Sequence, residues 1–201
     1  VSEQRPGGRM PGEPPARQVR ATRRDPIGMR YCANCGSEIR FGPVPGESRE
    51  RHACPVCQAI FYQNPKIVVA TLPLLPPDRL VLIRRGIEPG YGLWGYPGGF
   101  LELGETVEEG AVRETWEETG YEVELGPSVG IYSRPQAGVV VLVFAARVIG
   151  GAPRLSPETL EVRAFAPAEL PWSELAFPTV RQALQDWLAG PRGRPPQTVA
   201  G

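Results

Sequence analysis

The chain has 201 residues, 41% hydrophobic and 22% charged, and its 22 basic and 22 acidic residues cancel to a formal net charge of zero. This length and composition suit one ordinary soluble domain with a smaller appendage, and the zero balance excludes a global electrostatic attraction to nucleic acid or membrane. The longest apolar run, Val139 to Ala146, is far too short to span a bilayer, and no apolar secretory segment stands at the front, so the chain reads as cytoplasmic.

Residues 1–29 carry Pro6, Pro11, Pro14, Pro15 and Pro26 with several glycines and almost no large apolar side chains. Such a segment cannot bury enough surface to offset chain entropy and reads as a disordered tail. Its arginines, among them Arg5, Arg9, Arg17, Arg20, Arg23 and Arg24, leave an RNA-binding arm as the alternative.

Residues 30–63 form a distinct module. Cys32 and Cys35 make one CxxC knuckle and Cys54 and Cys57 another, with eighteen residues between them, the spacing of a four-thiolate zinc ribbon. Two matched pairs favour metal over a redox role. Four protein thiolates leave no open coordination position, so the Zn²⁺ is expected to be structural, stapling a module too small to fold on its own core. His52, the only histidine, is expected in an exposed loop.

Residues 64–190 carry the alternating patterns of a larger domain. The run from Lys66 (KIVVATLPLL) and the run Arg79 to Arg85 flank Pro76-Pro77-Asp78 and read as a β-hairpin. A glycine-rich loop follows with Trp94, Tyr96 and Phe100; Trp94 suits the core, whereas Tyr96 and Phe100, and with them Trp94, are candidates for the face of a nucleobase. Seven glutamates then fall between Glu102 and Glu118 around a single arginine, Arg113. Gly104-Glu105-Thr106 marks a helix start and Thr119-Gly120 its stop. A helix over 106–118 places Glu114, Glu117 and Glu118 on one face. Carboxylates 4–6 Å apart repel by about 3–4 kcal/mol at an effective dielectric of about 20. A bound divalent cation removes that objection, the plain alternative being a solvated acidic face. Arg113 is expected to orient a glutamate and to pair with Glu109, its i−4 neighbour.

Farther on, Glu122 to Val129 reads as a strand, Ser133 to Gly138 as a loop near the pocket, and Val139 to Val148 as a strand buried on both faces. Glu161 to Phe165 alternates charged and apolar residues, as a strand at a pocket edge does. Val180, Leu184, Trp187 and Leu188 stand at helical spacing over Pro178 to Ala189. Residues 191–201 read as a flexible tail.

The acidic stretch resembles the Nudix box: Gly99, five residues, Glu105, seven residues, then Arg113-Glu114-Thr115-Trp116-Glu117-Glu118-Thr119-Gly120. Thr115 departs from the usual aliphatic residue there, at a position expected to face packing rather than metal. The four-cysteine ribbon followed by Tyr62-Gln63-Asn64-Pro65-Lys66 is similar to the zinc-ribbon branch that includes NADH pyrophosphatases and the plant FAD pyrophosphatase. The NADH enzymes carry a Ser-Gln-Pro-Trp motif, and Ser133-Arg134-Pro135-Gln136 lacks its tryptophan, so the resemblance does not single out NADH.

What the resemblance implies is an α/β/α sandwich with a mixed β-sheet, preceded by the small zinc ribbon. The implied activity is hydrolysis of the pyrophosphate of FAD, ADP-ribose or NADH to two monophosphates. Mg²⁺ or Mn²⁺ is expected on Glu114, Glu117, Glu118 and the Gly99 carbonyl, with Glu161, or else Glu114, as the base that takes a proton from water. A homodimer is also implied. Removal of NAD-type caps from RNA and a nucleotide-sensing regulator without catalysis are the competing functions.

Overall fold

The computed structural model describes residues 29–190. The tails read from residues 1–28 and 191–201 lie outside them; Met29 is described and packs against the core of the first unit. Two compact units divide between Gln63 and Asn64.

The first unit is a three-stranded antiparallel sheet of β1 (Arg40–Gly42), β2 (Arg51–Ala53) and β3 (Ile60–Phe61), in that order. Its apolar centre consists of Cys32, Ile39 and Cys54, with Met29, Ala59 and Phe61 against them. His52 is buried at 4% exposure, its ring 4.9 Å from that of Phe41, and is not in an exposed loop. The reason is tertiary: β2 is the central strand, paired with Phe41 on one side and Phe61 on the other.

In the second unit β4 (Lys66–Leu75) and β5 (Arg79–Arg85) form the expected hairpin, followed by the short strands β6 (Trp94–Gly95) and β7 (Gly98–Phe100). Helix α1 (Val107–Thr119), β8 (Tyr121–Arg134), β9 (Val139–Gly151), β10 (Thr159–Phe165) and α2 (Pro178–Ala189) complete it. The sheet order is β10-β5-β4-β9-β8, with β6 on β5 and β7 on β4. The β4–β9 pair is parallel, from Lys66↔Val139 to Leu74↔Arg147, and the others are antiparallel, which makes the sheet mixed.

Strand alternation distributes the apolar side chains to two faces. Ala70 and Leu72 of β4 and Val141 and Val143 of β9 join Val180, Ala183 and Leu184 of α2. Val69 of β4 and Leu142 and Phe144 of β9 pack on the other face with Ala111 and Val107 of α1. The result is a helix on each side of the sheet. Thr115 is fully buried between α1 and β4, where its hydroxyl meets that of Thr71 at 2.6 Å and donates to the Ala111 carbonyl at 2.7 Å.

Helix α1 begins and ends for local reasons. Thr106 accepts from the Glu109 amide while the Glu109 carboxylate accepts from the Thr106 amide, a capping box. Gly120 ends it in the left-handed region at φ 75°, a conformation that favours glycine. One loop differs from expectation: Ser133 and Arg134 are strand, because β8 stays paired with β9 up to Arg134↔Val139 and the chain reverses in a single 3-10 turn, Pro135–Ala137. Among the described residues no helix is long and apolar enough to cross a membrane.

Candidate active site

Helix α1 lies across β7, and at their meeting point the Glu114 carboxylate occupies the space that a side chain at Gly99 would take. A Cβ there would stand 2.5 Å from the Glu114 carboxylate, so glycine is what lets the carboxylate reach the strand backbone. The adjacent Gly98 amide donates to Glu118 Oε2 at 2.7 Å.

Arg113 ties this region together. It forms a two-pronged contact with Glu105 (Nε to Oε2 3.0 Å, Nη2 to Oε1 2.7 Å), and its Nη1 donates to Glu114 at 2.8 Å and Glu117 at 3.2 Å. Nη2 also donates to the Phe100 carbonyl at 3.2 Å. The expected pairing with Glu109 does not occur, because the Thr106 amide holds that carboxylate in the capping box. Planar guanidinium geometry suits such forked recognition, which Lys would not reproduce.

These contacts sort the carboxyl groups electrostatically. Glu105 is held down to about 2, first by Arg113 and then by the Glu102 amide. Glu118 goes the other way, to about 8. Burial is the main cause, reinforced by Glu114 and Glu158 and opposed by the Gly98 amide and Arg85. Glu114 is also raised, by burial, against the pull of Arg113. Buried, mutually repelling carboxyls are a common mark of functional sites.

A cavity of about 900 Å³ opens over these groups. Tyr96, Gly99, Phe100, Arg113, Glu114, Glu117 and Glu118, all singled out from sequence, line it. Trp94 does not. It is 4% exposed and packs edge-on against Phe165 at 5.0 Å, so the core claims it. Glu161 is not among the lining residues either; on β10 it pairs with Arg84 at 3.9 Å and with Arg163.

The downstream carboxylate in the cavity is instead Glu158, just before β10, whose charge raises Glu114 and Glu118. Contacts distant in sequence place its loop: the Gly86 amide donates to the Glu158 carbonyl at 2.7 Å and the Arg154 amide to the Thr119 carbonyl at 2.8 Å. The family resemblance drew attention to Glu161, and the residues before β10 offer no periodic signal. Arg85, Arg154 and Phe177 also line the cavity without having been marked in sequence as site residues, and Arg134 lines it from the stretch expected near the pocket.

In the first unit the four cysteine sulfurs all lie within 4.8 Å of one another, with Cys32–Cys57 and Cys35–Cys54 each 3.5 Å apart. Tetrahedral zinc–sulfur bonds of about 2.3 Å imply sulfurs about 3.8 Å apart, close to this arrangement. The two knuckles are built alike. The Gly36 amide donates to the Cys32 carbonyl and the Gln58 amide to the Cys54 carbonyl, and both residues have positive φ. Amides of Asn34 and Cys57 point at the sulfurs of Cys32 and Cys54 at 3.4 Å, the setting of a thiolate. The cluster fits a structural zinc ion.

Comparison with known proteins agrees with both units. A NUDIX domain model matches residues 65–187, and a Nudix N-terminal zinc-ribbon model matches residues 30–63. The chain is 37% identical over 120 residues to an ADP-ribose pyrophosphatase of Methanocaldococcus jannaschii, covering 58% of this chain and 69% of that protein. It is 29% identical over 182 residues to the NAD-capped RNA hydrolase NudC of Stutzerimonas stutzeri, covering 86% of this chain and 60% of that one. A NUDIX hydrolase structure from Nitrosomonas europaea superimposes with a TM-score of 0.74 at 36% identity, over 80% of this chain and 91% of that chain. The chain spans between 42% and 69% of the length of such curated relatives. With the box residues gathered at one cavity and the cysteines at one centre, the chain belongs to the NUDIX domain family and carries that family's N-terminal zinc ribbon.

Proposed function

We propose that the protein is a divalent-cation-dependent pyrophosphohydrolase that splits a nucleoside diphosphate derivative, of the FAD, ADP-ribose or NADH kind, into two monophosphates. The observation that carries this reading is the meeting of Glu114, Glu117, Glu118 and Glu158 in one cavity of about 900 Å³, within the size range of small-molecule sites. Six glutamates and four arginines line it, so a pyrophosphate meets excess negative charge unless a cation intervenes.

The donor set fits Mg²⁺ or Mn²⁺: carboxylate oxygens, with the Gly99 backbone held bare against Glu114. Glu114, Glu117, Glu118 and the Gly99 carbonyl would hold the ion. Bound there, it would neutralise phosphate oxygens and make water nucleophilic near neutral pH.

The chain's own groups do the rest. Arg113 orients Glu114 and Glu117 through its hydrogen bonds. Tyr96 and Phe100, both on the cavity wall, present aromatic surface to the nucleoside. The proton of the attacking water goes to a cavity carboxylate, Glu158 or Glu114, rather than to Glu161 in its arginine pairs.

The test is product identification with added Mg²⁺ over FAD, NADH and ADP-ribose. Glu118→Gln should lower turnover by about 10²–10³-fold or more; near-normal activity would sink the assignment, and failure to release any monophosphate would favour a non-catalytic sensor. pH–rate profiles of Glu158→Gln and Glu114→Gln separate the two bases, while Glu161→Gln should keep the parental profile.

A second reading is favoured by the similarity to the NAD-capped RNA hydrolase, which runs over 86% of this chain and so includes the ribbon. Cleavage of capped RNA that falls steeply with salt, and that is lost on deleting residues before Tyr31, would select it.

A further inference from the structure

The four arginines of the cavity are not equivalent. Arg113 is engaged by Glu105, Glu114 and Glu117, and Arg154 lies over the Trp116 ring at 4.4 Å, on α1. Arg85 and Arg134 share one ring, their guanidinium carbons 5.1 Å and 4.6 Å from the Phe177 centroid.

Sheet hydrogen bonding does not explain that meeting. Arg85 ends β5 and Arg134 ends β8, and both β4 and β9 lie between those strands. Phe177, directly before α2, brings the two together. Neither arginine forms an ion pair with a described residue. Arg85 is nevertheless held in place: its Nε donates to the Pro89 carbonyl at 3.1 Å, and Gly90 lies against its stem, where an added Cβ would stand 3.6 Å from Cδ and Nε. That bond leaves both terminal nitrogens of Arg85 available to a ligand.

Two guanidiniums held against one ring on the cavity wall, neither in an ion pair with a described residue, concentrate positive charge that the cation–π contacts offset only in part. An anion entering the cavity beside them offsets the rest, and phosphate matches the guanidinium fork. The pair and Phe177 line the same cavity as Glu114, Glu117 and Glu118, so one ligand can reach both groups.

We propose that Arg85 and Arg134, stacked on Phe177, form a subsite for a phosphate group that the substrate carries in addition to its scissile diphosphate. The proposal rests on the pyrophosphohydrolase reading above and narrows it to the more highly phosphorylated members of that substrate class. The extra phosphate is either a third one in the bridging chain or a monoester on a ribose.

Steady-state kinetics of the full chain with Mg²⁺ test this on two pairs, each differing by one phosphate: diadenosine triphosphate against diadenosine diphosphate, and NADPH against NADH. The richer member of at least one pair should have a KM about tenfold lower, and the pair that shows it identifies the source of the phosphate. Arg134→Gln should bring the KM ratio close to one, and Arg134→Lys should restore part of it. Equal KM values within both pairs, or a preference that survives Arg134→Gln, would overturn the proposal. Equilibrium binding of the same pairs to Glu118→Gln reads the discrimination without turnover, which separates failure of this subsite from failure of the hydrolytic reading.

Discussion

The two units rely on their clustered side chains in opposite ways. The ribbon has strands of three, three and two residues and an apolar centre in which two of the three buried members are cysteines. Too little surface is buried there to hold the chain, so a zinc ion joining the four sulfurs would supply the folding free energy. The NUDIX domain already has a core, running from Leu72, Leu80 and Leu82 in the sheet to Val180 and Leu184 of α2. Its carboxylates work against it, since Glu118 is buried beside Glu114 and Glu158. In one unit a zinc ion would make the fold; in the other the fold tolerates a strained cluster, where the proposed cation would serve chemistry.

The largest effect is expected from removing zinc. A strong chelator, or Cys54→Ser, should abolish the ordered structure of residues 29–63 while amides of β4, β5 and β9 keep their protection in hydrogen exchange. Collapse of both units together would show that the NUDIX core also depends on the zinc site. Next in size, Leu82→Ala in the fully buried sheet core should cost about 2–5 kcal/mol in denaturant unfolding of the NUDIX unit, with zinc content unchanged.

A smaller effect of opposite sign belongs to the carboxylates. Glu118→Gln keeps an acceptor for the Gly98 amide and removes a carboxyl that folding forces to stay protonated, so without divalent cation it should stabilise the domain by about 1–3 kcal/mol at pH 7. The sign follows from a folded pKa raised to about 8: the native state retains a proton that the unfolded chain loses. Native stability therefore falls as pH rises from the ordinary carboxyl range through about 8, and the advantage of the variant should grow across that window. Equal melting temperatures at pH 5 and pH 8.5 would contradict the strain.

The smallest expected effect is at Glu105, whose pKa is depressed to about 2 by Arg113. Its contribution is present above the ordinary carboxyl range and is lost as pH falls toward 2. Acid titration of Glu105→Gln should lack that limb, while the parent shows it.

Much of the site could be read from residues because its rules are local. Thr106 and Glu109 stand at capping-box spacing, Gly120 stops the helix, and Glu114, Glu117 and Glu118 share one helical face whatever the surroundings. What escaped depends on partners remote in sequence. The length of β8 was concealed by Gly126, Pro127 and Gly130, where its register with β9 slips, and no period-2 pattern survives such bulges. Glu158 reaches the cavity through loop contacts with Gly86 and Thr119, and His52 is buried because strands flank it on both sides. Arg113 had several glutamates within helical reach, and the capping box removed one of them.

The parallel pairing of β4 with β9 has a consequence for how the protein is made. Residues 66–74 pair with 139–147, so the centre of the sheet closes only after the box helix and all of β8 have left the ribosome. Until then β4 is an apolar strand with a bare edge, in a chain whose zinc knuckles can already fold, and this is the interval in which aggregation competes with folding. Synthesis that stalls before Val139 should release insoluble fragments with an intact ribbon at their front.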